Sequence, residues 1–598
     1  MKETTSPKYE ILSLFEKGQS EKLLKLDKLL LGALTLIYTV IALLNLGTLS
    51  FPTTVYYGDV SDSCTLAFEE EVDIDTVWFN GNIAQGTLRF MADDGTEETY
   101  TQDQGNMFKW ESAEMSFTTR TLRLTVENRA VALNEIAFFS NGELLPVTVL
   151  EAFNDNQSAL NLVDEQDTVP EESTYFNGMI FDEIYHARTA YENIHNMSIY
   201  EWTHPPLGKL IIALGILIFG MKPFGWRIMG ALFGAGMVPI MYVFAKRIFK
   251  RTDFAFVTAG LWAFDCMHFT QTRIATIDVY GVFFILLMFF FMYEYVRKDY
   301  FTAPVMAKLQ PLALSGVAFG LGCASKWIGC YAGAGLAVVL FYHLFSAMFE
   351  AYKGHDKGAV KKRRLFWKKL WITAGWCCVW FLLVPGLIYF LSYFPYYRYE
   401  ASARSSYGLG DMWDTLIKNQ KEMYNYHSQL TATHMCQSMW YQWPFTFKSV
   451  WFYVSNSGEK ISNIASTGNP AVWWISAVGA VCLCLEWVLG KVKRNPVLSI
   501  LFVGVVANYL PWVLVTRCVF LYHFFATVPF ILLSTVYLFF LLEQEDRKIH
   551  WIKWAWLGLA VVYFILLYPA ISGLPTSKGY AGFLENVLPA SILYYGWV

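Results

Sequence analysis

An acidic pair, Asp182 and Glu183, stands in a polar stretch between apolar runs of the sequence. A carboxylate in such a place can act as a general base that takes the proton from an attacking hydroxyl. Three basic residues, Arg273, Lys326 and Arg517, stand at the ends of apolar runs, where cations can hold the phosphate of a lipid carrier. These residue types therefore predict transfer of a group from a lipid phosphate to a hydroxyl.

Further polar and aromatic residues are predicted to reach the same membrane face as these groups, and we expect them to bind substrate. Each also has a structural interpretation, because histidines hydrogen-bond in cores, aromatics line interfaces and long cations extend towards headgroups. The prediction therefore depends on their convergence at one face. The expected substrate-binding residues are His186, His204, Asp278, His434, Trp440, Tyr522 and His523.

The composition places this chemistry in a membrane. Of 598 residues, 55% are hydrophobic and only 16% are charged. The net charge of -4 provides no basic surface for nucleic acid. The ten cysteines form no metal-ligand spacing, so we expect no metal site and no cofactor beyond the substrate, although a divalent ion held by Asp182 or Glu183 remains open.

Apolar runs of about 20 residues, separated by short basic loops, predict an all-α polytopic protein of about eleven transmembrane helices. The alternation puts every basic cluster on the cytoplasmic side and Asp182 on the outer side of the membrane. We expect an interfacial helix at Leu207–Met221, a span at Phe254–Thr272, and two spans within Leu312–Met348 that turn near Ser325–Trp327.

These signals divide the chain into eight predicted segments. Alternating polarity and turn residues between 51 and 150 predict an inserted extracellular β sandwich. Its segment Val131–Phe139 is similar to a late strand of discoidin-like carbohydrate-binding jelly rolls. The segments are the cytoplasmic N-terminus 1–28, the first transmembrane helix 29–49, the jelly-roll-like insertion 51–150, the catalytic first outer loop 151–225, transmembrane helices 226–394, the second outer loop 395–469, transmembrane helices 470–572 and the outer C-terminal tail 573–598.

Motifs in the first outer loop and beyond resemble the protein O-mannosyltransferase family of membrane glycosyltransferases, in its prokaryotic type. They occur in the family order from the first outer loop to the last span. The matching segments are Phe181–His186, His204–Lys209, Phe269–Asp278, Ala324–Gly329, Gln437–Pro444, Gly468–Trp474 and Tyr522–Phe524.

The resemblance implies the C-type glycosyltransferase fold, a polyprenyl or dolichyl phosphate mannose donor, inversion at the sugar, and Ser or Thr hydroxyls of exported proteins as acceptors. It implies that Asp182 is the catalytic acid position, with Glu183 beside it, and that Arg273 contacts the donor phosphate. The insertion 51–150 departs from the usual family pattern and leaves the acceptor open. The sugar and the oligomeric state also stay open.

Three alternatives remain. The same chemistry could act on a lipid or cell-wall glycan. A lipid-sugar flippase or transporter would place ionisable groups near the membrane midplane in repeat-related halves, which this sequence does not display. A glycan-binding surface anchor would explain the insertion but not the many further spans.

Overall fold

The computed structural model describes residues 20–152, 157–354 and 357–587. Two compact units form in this part of the chain. The β unit comprises Asn45–Tyr191 and Ile212–Met229. The helical unit comprises Glu192–Ile211 with the described residues up to Leu44 and from Gly230 onward. Most of the predicted cytoplasmic N-terminus and part of the predicted C-terminal tail lie outside the described residues.

The chain is a helical polytopic membrane protein. In the described ranges, ten helices are long and apolar enough to cross a membrane: Lys25–Leu43, Pro223–Phe249, Asp278–Val296, Val305–Ser325, Ile328–Tyr352, Lys357–Ser392, Pro470–Val488, Pro496–Leu514, Val528–Glu545 and Arg547–Ser572. The other helices are Glu183–His195, Leu207–Phe219, Thr252–Ala263, Cys266–Thr272, Phe394–Ser402, Leu409–Gln429 and Lys578–Val587.

The predicted reversal near Ser325–Trp327 is confirmed, because one helix ends at Ser325 and the next begins at Ile328. The two helices pack tightly there. A Cβ atom on Gly329 would lie 2.7 Å from the backbone nitrogen of Cys323, so only glycine permits this approach. The approach fixes the backbone on both sides of Lys326.

The predicted span Phe254–Thr272 is instead two shorter helices, Thr252–Ala263 and Cys266–Thr272. Asp265 causes the second helix to start, since its side chain accepts a hydrogen bond from the backbone N–H of His268 at 3.0 Å. The apolar pattern of the run conceals this polar break. The basic block that begins at Lys357 is helical and continuous with the span that follows it.

The β unit contains one hydrogen-bonded set of eight strands in the order β1-β6-β2-β5-β3-β4, with β7 on β6 and β8 on β2. Adjacent strands in this set pair antiparallel, and most positions facing the core are apolar. The strands are β1 Tyr56–Gly58, β2 Ser63–Gly81, β3 Thr87–Ala92, β4 Glu97–Thr101, β5 Trp110–Glu127, β6 Val131–Ser140, β7 Glu143–Leu145 and β8 Thr148–Ala152.

The two longest strands, β2 and β5, each pair with more than one other strand. The first half of β2 pairs with β8 and the second half with β6, and the β2–β5 register shifts between Ala67 and Val72 and between Ile74 and Thr76. Such irregularities bend strands. A β region at the predicted place is thus confirmed, whereas its outer location and its sandwich arrangement stay predictions.

The chain segments on either side of these strands meet each other within the β unit. The backbone N–H of Thr48 donates to the carbonyl of Phe176 at 2.8 Å, and that of Phe224 donates to the carbonyl of Thr48 at 3.3 Å. A Cβ on Gly47 would lie 2.7 Å from atoms of Pro223. The chain therefore enters and leaves the eight-stranded region at one junction within the β unit.

The predicted second outer loop has regular structure of its own. It contains the helices Phe394–Ser402 and Leu409–Gln429, followed by the hairpin β9 Val450–Ser457 and β10 Lys460–Ser466. A short strand after the last span, β11 Thr576–Ser577, pairs with β10. The predicted tail thus begins as an ordered part of the helical unit.

Candidate active site

Glu183 forms a buried ion pair with Arg227 in the β unit. Its two carboxylate oxygens accept hydrogen bonds from Nε at 2.7 Å and Nη2 at 2.6 Å of the guanidinium. The same guanidinium donates to the backbone carbonyls of Leu46, Tyr175 and Gly178 at 2.7–3.0 Å. Both side chains are at most 1% exposed. Through its hydrogen bonds the pair holds three chain segments together.

Asp182 stands at the N-terminus of the helix Glu183–His195. Its backbone carbonyl accepts from the N–H groups of Tyr185 and His186, at 3.0 and 3.1 Å. The preceding residue, Phe181, has φ = 47°, which a non-glycine residue rarely adopts. Backbone strain of this kind often marks functional positions. Asp182 is partly exposed, whereas Glu183 and His186 are buried.

A second polar group, in the helical unit, begins at Glu201. The Lys209 side chain forms an ion pair with the Glu201 carboxylate and donates to the carbonyl of His204 at 3.0 Å. His204 Nδ1 lies 3.0 Å from Glu201 Oε1. Lys209 is fully buried, so it serves to order the chain around His204, with a carboxylate that compensates its charge.

Lys326 occupies the reversal between the two helices described above. Its Nζ lies 2.7 Å from Asp278 Oδ1, and it stands 6.0 Å from the centre of the Tyr522 ring. Both members of the pair remain slightly exposed, at 11% and 12% of the side-chain surface. The structure thus joins three of the predicted residues, with Asp278 as the partner of the cation.

Lys326 and Arg517 both lower the pKa of neighbouring imidazoles. Burial, together with the cations Lys326 and Arg517, lowers the pKa of His523 well below its ordinary value. Burial, followed by the neighbouring His204 and Arg517, lowers the pKa of His427 to about 4. Burial also lowers the pKa of His204, against the opposing effect of its carboxylate neighbour. At neutral pH these imidazoles are therefore uncharged.

His427 connects this group to the chain around His204. Its Nε2 lies 2.8 Å from the carbonyl oxygen of Thr203, and its ring centre is 5.2 Å from that of His204. The ring of Trp327 lies 6.2 Å away on another side. His427 thus connects the helix Leu409–Gln429 with both His204 and Trp327.

Aromatic rings surround His523. Tyr522 and Trp443 stack on it with ring centres at 4.8 and 6.0 Å, and Trp512 meets it edge-on at 4.3 Å. We call Lys326, Arg517, His204, His427 and His523 the cation–imidazole cluster. Its fixed charges suit a phosphate, and the aromatic faces beside it suit a sugar or a prenyl chain.

Two other predicted residues, His434 and Trp440, lie near the edge of this group. His434 Nδ1 accepts from the N–H of Cys436 at 3.0 Å, and its ring is 5.3 Å from Phe520. The Trp440 carbonyl accepts from the Tyr509 hydroxyl at 2.9 Å. The tryptophan that contacts His523 is the neighbouring Trp443.

Arg273 contacts another part of the helical unit. It donates from Nη2 to the carbonyl of Leu44 at 2.7 Å, and its guanidinium lies 4.7 Å from the Phe269 ring centre. These contacts hold it at the C-terminal end of the first helix. Its predicted phosphate contact remains untested.

Three residues of these groups were missed from the sequence: Glu201, Arg227 and His427. Glu201 stands three residues before His204, a spacing that could have drawn attention to it. Arg227 was hidden at the start of an apolar run and His427 in a polar amphipathic helix. The roles of Arg227 and His427 depend on partners that are distant along the chain.

A group of carboxylates in the β unit has a geometry that can hold a metal ion. Ligand atoms of Glu135, Asp164 and Glu165 lie within 4.8 Å of one another. Glu165 already accepts from the backbone N–H groups of Thr53 and Thr54, at 2.6 and 2.8 Å, and burial raises the pKa of Glu135 to about 9. These contacts indicate a structural tie between loops of the β unit.

Comparison with known proteins identifies the family. Residues 216–397 match the family model described as dolichyl-phosphate-mannose-protein mannosyltransferase, and residues 412–584 match the C-terminal four-transmembrane region of protein O-mannosyltransferase. Together these matches cover more than half of the chain. The chain belongs to the protein O-mannosyltransferase family. The resemblance found in the sequence motifs is thereby confirmed.

Relatives within the protein O-mannosyltransferase family come from bacteria and fungi. The chain is 26% identical over 461 residues to the polyprenol-phosphate-mannose–protein mannosyltransferase of Mycolicibacterium smegmatis, covering 67% of this chain and 85% of that protein. It is 24% identical over 450 residues to the Mycobacterium tuberculosis protein of the same name, covering 67% and 84%. These are mannosyltransferases by name, so the predicted enzyme class agrees with the family.

The fold agrees with that of a solved family member. The structure of the Saccharomyces cerevisiae Pmt1-Pmt2 complex bound to the sugar donor matches with a TM-score of 0.56 and 14% sequence identity, over 68% of this chain and 88% of that chain. At that identity the match establishes the helical membrane fold and nothing about individual residues.

Proposed function

We propose that this protein transfers mannose from a polyprenyl phosphate carrier to Ser or Thr hydroxyls of exported proteins. The observation that carries the proposal is the cation–imidazole cluster, which combines two fixed cations with three neutral imidazoles in a chain of this family. Phosphate oxygens need cations and N–H donors as negative charge develops on them. Lys326 and Arg517 supply the charge, and His523 can donate from Nε2, because its Nδ1 accepts from the backbone N–H of Phe520 at 3.0 Å.

The proposed reaction is a single displacement. Asp182 accepts the proton of the acceptor hydroxyl, whose oxygen forms a bond to the anomeric carbon. The bond from that carbon to the phosphate oxygen breaks, and the phosphate keeps the electron pair. Attack opposite to the leaving group inverts the anomeric centre. The assignment of Asp182 is supported by the family motif, by its exposure and by the strained backbone at Phe181.

The proposed location is a plasma membrane with the reacting groups outside. The predicted alternation of spans supports this location, because it places the basic clusters on one side. In this arrangement the eight-stranded region is an extracellular β sandwich, and the two helices Thr252–Ala263 and Cys266–Thr272 together form the eleventh crossing. Substrate contacts of His186, His434, Trp440 and Arg273 remain part of the proposal. We propose no metal ion for the chemical step.

A transfer assay tests the proposed function directly. Purified full-length protein in lipid is incubated with labelled polyprenyl phosphate mannose and a Ser/Thr-rich peptide, and labelled peptide is counted. We expect transfer, full activity after exhaustive chelation, and an inverted anomeric centre in the product. If transfer occurs only to a glycan, the proposed protein acceptor is wrong and the enzyme acts on a glycan. Movement of labelled lipid across the bilayer without any transfer would replace the proposal by a flippase.

Substituting Arg517 by Gln should weaken donor use. One charge-assisted phosphate contact contributes ~1.5–3 kcal/mol, so we expect the KM for the mannosyl lipid to rise by roughly 10-fold or more. The measurement is the initial rate as a function of donor concentration. Arg404→Gln is a matched control, because Arg404 is exposed and pairs with Glu400. An unchanged donor KM in Arg517→Gln would remove this residue from the phosphate site.

A further inference from the structure

The helix Lys357–Ser392 begins with a basic segment whose cations point in two directions. One group contacts the protein. Lys362 Nζ pairs with Glu350 Oε1 at 2.5 Å, and Arg363 donates to the carbonyl of Gly354 at 2.7 Å. Lys369 donates to three backbone carbonyls between 300 and 303, at 2.8–3.1 Å. These cations already have partners within the protein, on the side of the helix where Phe366 is buried.

The other group faces away from the protein. Lys361, Arg364 and Lys368 are exposed, and their spacing of three and four residues puts them on one helical face. Within the described residues none of the three forms an ion pair or a side-chain hydrogen bond. A rise of 1.5 Å per residue spreads them over about 10 Å, which suits one or two phosphate groups.

Large apolar side chains flank this face on one side. Val360, Trp367 and Trp371 are 59%, 43% and 71% exposed. In the most apolar stretch of the same helix only 6% of the residues are buried inside the protein. A helix so little covered by its own chain is covered by lipid, and tryptophans at its end lie at the depth of the headgroups.

We propose that this face, from Val360 to Trp371, binds anionic phospholipid. The lipid phosphates would pair with the three outward cations, and the tryptophans would contact the glycerol and upper acyl region. Charge complementarity selects this occupant, because three exposed cations on one face repel the same face of a second copy. The proposal is independent of the transfer reaction, since it concerns lipid of the surrounding membrane.

The test counts lipids bound to purified full-length protein in neutral detergent by native mass spectrometry. Dioleoyl phosphatidylglycerol is titrated, with dioleoyl phosphatidylcholine as the neutral probe. The variant Lys361→Gln/Arg364→Gln/Lys368→Gln should bind the anionic lipid roughly 100-fold more weakly, because each interfacial cation contributes about 5-fold. Phosphatidylcholine binding should not differ between the proteins.

A matched control removes three exposed cations elsewhere, in Lys493→Gln/Arg494→Gln/Lys548→Gln. We expect this protein to bind phosphatidylglycerol within about 2-fold of the native chain. An equal loss of phosphatidylglycerol binding in both triple variants would mean that net charge alone causes the effect, which would overturn the proposed site. Unchanged binding in the Lys361/Arg364/Lys368 variant would also overturn it. A change in subunit number without a change in lipid count would make the face a subunit contact. If the triple variant fails to fold, Arg364→Gln alone should still lose about 5-fold.

Discussion

Replacing Asp182 by Asn should lower the rate of mannosyl transfer by ~10²–10⁴-fold, the usual contribution of a general base. Asn is nearly the same size but cannot accept the proton of the acceptor hydroxyl. The Asp182 backbone carbonyl that accepts from Tyr185 and His186 is unchanged by the substitution, and Asn is also favoured at helix N-termini. The loss should therefore appear in catalysis without a loss of folding.

The measurement combines single-turnover transfer with thermal unfolding of the full chain. Asp167→Asn is a control in the same unit, because Asp167 is exposed and the substitution removes the same charge. We expect both variants to melt with the native protein and only Asp182→Asn to lose transfer. Activity of Asp182→Asn within about 3-fold of native would show that the proton leaves by another route.

Replacing Glu183 by Gln should destabilise the β unit by about 3–5 kcal/mol, because it leaves a buried guanidinium without its carboxylate. Arg227 is 1% exposed, so water cannot replace the lost partner. The consequence extends to the carbonyls of Leu46 and Tyr175, which the same guanidinium holds. We expect a lower unfolding temperature and faster proteolysis between Asn45 and Tyr191.

Temperature separates this structural role from a catalytic one. Transfer by Glu183→Gln should recover at temperatures where the β unit stays folded, whereas Asp182→Asn should be inactive at every temperature. Glu171→Gln, at an exposed position nearby, should behave as native. Native stability combined with lost transfer in Glu183→Gln would instead make Glu183 a second catalytic carboxylate.

The sequence was most informative where local pattern decides structure. Apolar runs and basic loops predicted nearly all the candidate spans. The length of the run Leu312–Met348 predicted a reversal that the structure places at the same residues. Alternating polarity also located the strands. Each of these features depends on residues that are close along the chain, because periodicity and length are local properties.

Pairing between distant residues could not be predicted in the same way. Arg227 lies 44 positions from Glu183, and His427 lies 224 positions from the carbonyl of Thr203. Residue type alone does not distinguish Asp182 from Glu183 as an acid, and only the family resemblance favoured Asp182. Burial separates them in the structure, since Glu183 is enclosed with a guanidinium and Asp182 is partly exposed.

The hydrogen bond between Thr48 and Phe176 has an evolutionary consequence. Two chain ends that already touch can accept or lose the intervening residues without any stretching of the flanking chain, because the loop-closure cost changes only slowly with length. Arg227 reinforces this junction from both directions, through Leu46 before it and Tyr175 after it. The eight-stranded region could therefore be gained or lost without stretching the framework around Glu183.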